Sequence, residues 1–163
     1  MTLPKILRYI LLAAAVFMMA LIFYFSSQDD VESSKTSGDV TEFVLETVVP
    51  AYKKMTGARR ISFRKAAEHL IRKLAHFSEF ALLSALLTGY FYLRRTDGRL
   101  LAALLAGWGA ATLYACSDEL HQMFVSGRGP SPVDVGIDSS GALLGAALVI
   151  GAAALAQRRH AKV

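Results

Sequence analysis

Apolar residues along this chain come in four long blocks, and the polar residues between them are clustered rather than scattered. The first block, residues 6–25, is apolar apart from Arg8. Its length matches the roughly 20 residues a helix needs to cross a hydrocarbon core of about 30 Å. Residues 74–93 are interrupted only by His76, Ser78, Glu79 and a few small polar side chains. Residues 100–122 stay apolar up to Cys116, and 137–156 form the fourth block. The pattern predicts an all-α fold, a four-helix transmembrane bundle within one domain over residues 1–163. The first block is longer than the apolar part of a signal peptide, and Phe-Tyr-Phe-Ser-Ser-Gln at its end is no small-residue cleavage site.

The stretch between the first and second blocks reads differently. Val40, Phe43, Val44, Val48, Ala51, Tyr52 and Met55 recur at helical spacing, with Ser37 or Asp39 available as a cap and Pro50 placed to bend or end the helix. A second stripe, Phe63, Ala66, Ala67, Leu70, Ile71 and Leu74, leads into the second span with Arg64, Lys65 and Arg72 opposite. The expectation is short amphipathic helices in the first outer loop, lying in the headgroup plane or packed on their neighbours.

Composition agrees, with 54% hydrophobic residues, and charge adds an orientation. The net charge of +5 could suit nucleic acid, but the basic residues sit beside apolar runs, so anionic lipid is the expected counterpart and no nucleic-acid partner is assigned. Lys5 and Arg8, then Arg94, Arg95 and Arg99, then Arg158, Arg159 and Lys162 fall on one side of a four-span chain. The positive-inside rule makes that side, with both termini, cytoplasmic in a bacterial inner membrane. The first connection opposes this, with nine Lys or Arg once Lys73 is counted, but seven acids accompany them. The lone Cys116 forms no internal disulfide and reads as a small buried apolar residue.

Depth then groups the polar residues. At about 1.5 Å per residue, His76 and Glu79 lie about 27 and 22 Å from Arg94, Ser117 about 27 Å from Arg99, and Asp138 about 30 Å from Arg158. Alternating helix direction brings all of these, with Ser26, Ser27 and Gln28, to one layer just inside the outer boundary. Ionisable groups beside hydrocarbon are costly and mark functional sites by default. Arg72, His76 and Glu79 share a helix face, as do Asp134, Asp138 and Gly141, and Gly141 with Gly145 forms a small-residue seam. Two glycines flank Arg128 in a tight turn able to fold it back over the cluster.

Four segments carry a resemblance: Phe25-Ser-Ser-Gln, Arg72-Lys-Leu-Ala-His-Phe-Ser-Glu-Phe, Ser117-Asp-Glu-Leu-His-Gln-Met-Phe-Val-Ser-Gly-Arg and Asp134-Val-Gly-Ile-Asp-Ser-Ser-Gly. In order and spacing they resemble the VanZ-like family of small bacterial membrane proteins, with Ser126 standing where that family often has proline. The resemblance implies a multi-pass cytoplasmic-membrane protein. It also implies a link to low-level resistance to teicoplanin-type glycopeptides, which bind lipid-linked cell-wall precursors, and a proposed action on lipid headgroups.

A headgroup reaction needs cations for phosphate, a proton carrier and groups to position it. His76 and His121 are the natural proton carriers, with Glu79 and Asp118 completing the catalytic set. Lys73 and Arg128 suit phosphate, and Glu119, Gln122, Asp134, Asp138, Ser27 and Gln28 complete the substrate-binding set. The alternatives are a structural polar network, a non-catalytic protein that binds a lipid-linked precursor or antibiotic, and a structural subunit. His76, Glu79, Asp118 and His121 are permissible zinc or manganese ligands, but no tight metal signature occurs and Arg128 and Lys73 would repel a cation. No metal or other cofactor is assigned. No phosphate-binding glycine loop, dinucleotide fingerprint or serine elbow occurs. His69 reads as an interfacial residue, and Trp108 as a packing or belt residue.

Overall fold

The computed structural model describes residues 3–94 and 99–160, so Arg95 and Lys162 of the basic clusters lie outside the described residues. Five α-helices follow in order: α1 (Leu3–Ser26), α2 (Asp30–Val48), α3 (Gly57–Arg94), α4 (Leu100–Gln122) and α5 (Pro132–His160), with a 3-10 turn at Tyr52–Lys54. No strand occurs among the described residues. Four of the helices are long and apolar enough to cross a membrane: Lys5–Ser26, Gly57–Arg94, Leu100–Gln122 and Pro132–Arg159.

The loop helices depart from their expected boundaries. α2 begins at Asp30 because the Asp29 carboxylate accepts the Glu32 N–H at 2.8 Å, which ties off the first turn. Ser37 and Asp39, expected as caps, are therefore inside the helix. The helix ends at Val48, two residues before Pro50. The second amphipathic stripe is not a separate helix. It is the N-terminal half of α3, which runs unbroken for 38 residues because residues 58–88 hold neither glycine nor proline. At about 57 Å, α3 is nearly twice the thickness of a hydrocarbon core, so its first half extends beyond the bundle and packs on α2. α5 starts at Pro132, which has no N–H to leave unpaired, and the Ser131 hydroxyl accepts the Asp134 N–H at 3.2 Å.

The bundle packs through missing side chains. A Cβ on Gly141 would come within 2.2 Å of the Phe77 carbonyl oxygen, and one on Gly145 within 1.9 Å of the Ala81 oxygen. α3 and α5 therefore run parallel with their backbones in contact. Gly107 of α4 approaches Thr88 of α3 in the same way, with a Cβ there 2.7 Å from its backbone nitrogen. The enclosed residues are small or slender, including Ala15, Ala111, Ala115 and Ala142 around Ile22, Phe80 and Leu83. Large apolar side chains such as Phe17, Leu113 and Leu148 point outward, as suits a hydrocarbon surround in which close packing replaces hydrophobic drive. Cys116, expected to be buried, is on this exposed side of α4. Two polar ties cross the interior: the Tyr114 hydroxyl donates to the Met19 carbonyl at 2.7 Å, and the Trp108 ring N–H reaches Ser139.

Candidate functional site

The seam between α3 and α5 sets the register at the polar end. With Phe77 seated on Gly141, the turns before them bring Lys73 to Asp134, and the two form an ion pair. Asp138, one turn before Gly141, is 2% exposed on the same side. The last turn of α4 supplies Asp118, Glu119 and Gln122, all buried. Ser26, at the end of α1 and fully buried, donates to Asp118 Oδ2 at 2.8 Å, and Gln122 Nε2 donates to the same oxygen at 3.0 Å. Glu119 Oε2 accepts the Ser131 backbone N–H at 2.7 Å. That bond pins the start of α5 to the end of α4. Between them the chain turns through Gly127, whose φ of 78° is a left-handed conformation that glycine adopts without strain.

Two adjoining cavities open at this end. The first, about 190 Å³, is lined by His69, Arg72, Lys73, His76, Glu119, Gln122, Arg128, Asp134 and Asp138 among others. The second, about 210 Å³, has Gln28, Glu79, Ser33 and Ser37 on its wall but also Phe25, Val40, Ile71 and Ala75. Arg72, His76 and Arg128 belong to both. The His76 Nδ1 atom is 4.0 Å from Glu79 Oε2, beyond hydrogen-bond range. It is buried without a hydrogen-bond partner among the described residues, as are one oxygen each of Asp118 and Asp138. Buried polar atoms in native proteins normally have partners, so those of His76 and Asp138, which line the first cavity, are disposed to receive a ligand's donors and acceptors.

The predicted residues separate into four positions. Lys73, His76, Glu119, Gln122, Arg128, Asp134 and Asp138 meet around the first cavity, and Gln28 and Glu79 line the second. Asp118 lines neither; it stands behind them, held by Ser26 and Gln122. Ser27 and His121 turn away together. The Ser27 hydroxyl meets His121 Nε2 at 3.1 Å, and the imidazole lies against the Phe23 ring at 4.5 Å between centroids. Lys73 is not a bare phosphate-binding charge, because Asp134 holds it. Sequence reasoning missed Arg72 as a lining residue although it shared the His76 face, and Ser26 as the donor to Asp118 although it neighbours Ser27. His69, expected only as interfacial, lines the first cavity. Among the described residues no three His, Cys, Asp or Glu side chains converge as a metal site would require.

These features define an all-α, multi-pass membrane protein with a charged recess at one end of its bundle. The sequence profile of the VanZ/LLP1 family matches residues 11–155, most of the chain, and the protein belongs to that family. Comparison with curated proteins and with solved structures gives no match.

Proposed function

We propose that the recess receives the phosphate-bearing headgroup of a membrane lipid or lipid-linked precursor and acts on it by acid–base chemistry. What supports this is the sharing of Arg72, His76 and Arg128 between a polar cavity and an apolar-walled one. An amphiphile has the same two-part character, and its phosphate sits where the parts join. Arg72 and Arg128 hold phosphate oxygens, for which the guanidinium fork is well shaped. His76 takes the proton of a water or hydroxyl whose oxygen forms the new bond to phosphorus. It returns that proton to the alkoxide released as the old P–O bond breaks. Glu79, closing from 4.0 Å onto Nδ1, orients the ring and favours its charged form. Asp118 positions these groups from behind, and His121 takes no direct part. The basic clusters at both termini and after α3 support a location in the bacterial cytoplasmic membrane with the recess outward. Action there would change the lipid-linked precursors that teicoplanin-type glycopeptides bind.

A second reading, a protein that binds such a lipid without turnover, draws on the Lys73–Asp134 pair and the closed Ser26–Asp118–Gln122 network, which already satisfy much of the site. The test is lipid analysis of cells and purified protein carrying His76→Ala or Arg128→Ala. Turnover of the headgroup should fall by about 100-fold or more in either variant, with helical content unchanged. One lipid bound per protein with no change in headgroup composition would favour the binder. Variants that keep full effect would remove both readings.

A further inference from the structure

Beyond the recess, α2 and the first half of α3 enclose an open trough of about 940 Å³, and His69 and Arg72 form a wall common to it and the inner cavity. The two spaces differ in size by a factor that decides what each can hold. The inner cavity suits a phosphate and little more. The trough is in the range of roughly 300–1,000 Å³ that accommodates ligands of several hundred daltons. Its walls carry five Lys or Arg residues and His69 against Asp39, Glu42 and Glu68. Two of those acids are already engaged: Glu42 accepts from the Tyr52 hydroxyl at 2.7 Å and Arg60 at 2.6 Å, and Glu68 holds Arg72 at 3.1 Å. Lys35 and Lys65 have no ion-pair partner among the described residues, so the trough offers cationic donors to a guest.

Two close approaches shape the walls of the trough. Tyr52, a fully buried lining residue, has the Arg60 guanidinium 4.7 Å from its ring centre. Gly38 sits inside α2, where glycine is unfavourable, and a Cβ there would come within 2.8 Å of Arg64 Nη2. Glycine at this place lets Arg64 lie across the helix and line the trough.

We infer that the trough is a subsite for the distal part of the headgroup, so that the ligand is a lipid phosphate bearing a bulky, hydroxyl-rich acidic group such as an oligosaccharide, rather than a simple lipid phosphate. This rests on the reading of the recess as a phosphate site. The chemistry is complementary: hydroxyls and carboxylates meet lysine and arginine donors along a groove that begins at the phosphate.

The experiment compares two ligands in detergent by calorimetry and thermal shift: a short-chain dialkyl phosphate, and a short-chain alkyl phosphate esterified to an acidic disaccharide. Wild-type protein should bind the disaccharide lipid at least tenfold more tightly. Lys35→Glu with Lys65→Glu, exposed changes that leave the packing alone, should abolish the preference while binding of the simple phosphate persists. Gly38→Ala, which folds but displaces Arg64, should weaken it. Equal binding of the two lipids, or a preference that survives the charge reversal, overturns the subsite and leaves the phosphate reading standing. Binding of neither lipid overturns both.

Discussion

The bundle and its extension are held together by opposite means. In the bundle, helices meet where side chains have been removed, at Gly107, Gly141 and Gly145, and large apolar residues face outward. In the extension, α2 and the first half of α3 meet through charge: Glu42 gathers Tyr52, Arg60 and Arg64, and Glu68 gathers Arg72 and Ser37. The difference follows from the surroundings. In hydrocarbon, close backbone approach supplies the attraction, and exposed ion pairs are not available. In water, such pairs are tolerated but contribute little individually, so several converge on one acid. The recess stands where the two regimes meet, which is why buried carboxylates and arginines coexist there.

Breaking the glycine seam should have the largest effect. Gly145→Ala drives a methyl into the Ala81 carbonyl, and such overpacking typically costs about 1–3 kcal/mol. Gly109→Ala, with nothing within 4 Å of the new methyl, should be neutral or stabilising by up to about 1 kcal/mol. Thermal unfolding in detergent compares them, and equal stability of the two variants would show that the seam does not hold the bundle. Next is Ser26→Ala at the boundary. Asp118 Oδ2 then keeps only the Gln122 donor while the other oxygen already has none, at a cost of about 1 kcal/mol by the same assay.

The smallest effect belongs to the extension and is read by pH. The Tyr52 hydrogen bond, then that of Arg60, holds the Glu42 carboxyl below its ordinary value of 4.5. A folded-state pKa below the unfolded one gives stability that is present above about 4.5 and lost as pH falls through the lowered value. Hydrogen exchange in α2 should therefore quicken on acidification while the bundle is unmoved, and Glu42→Gln should remove that pH dependence. Exchange that quickens equally in both regions would mean that the extension has no stability of its own.

The four apolar blocks, and hence the four crossing helices, were legible because hydrocarbon imposes a length that composition reveals directly. The gathering of polar segments at one end was legible too, since helix rise converts position into depth. The unbroken α3 was less so: two hydrophobic stripes look alike whether or not a turn separates them, and only the lack of glycine or proline over residues 58–88 hinted at continuity. Depth also said nothing of rotation. Asp118 and His121 are less than a turn apart on α4, yet one is buried with Ser26 and the other turns to Ser27 and Phe23.

What the sequence determined by itself was the all-helical spanning architecture and the layer at which its ionisable residues collect, because both follow from the length and polarity of single segments. What only the tertiary structure decided was the company each side chain keeps: Lys73 with Asp134, Asp118 behind the cavity, Arg72 on the wall between recess and trough. Those pairings depend on how each helix is turned about its own axis against its neighbours. That rotation is set by where the glycines let two backbones touch.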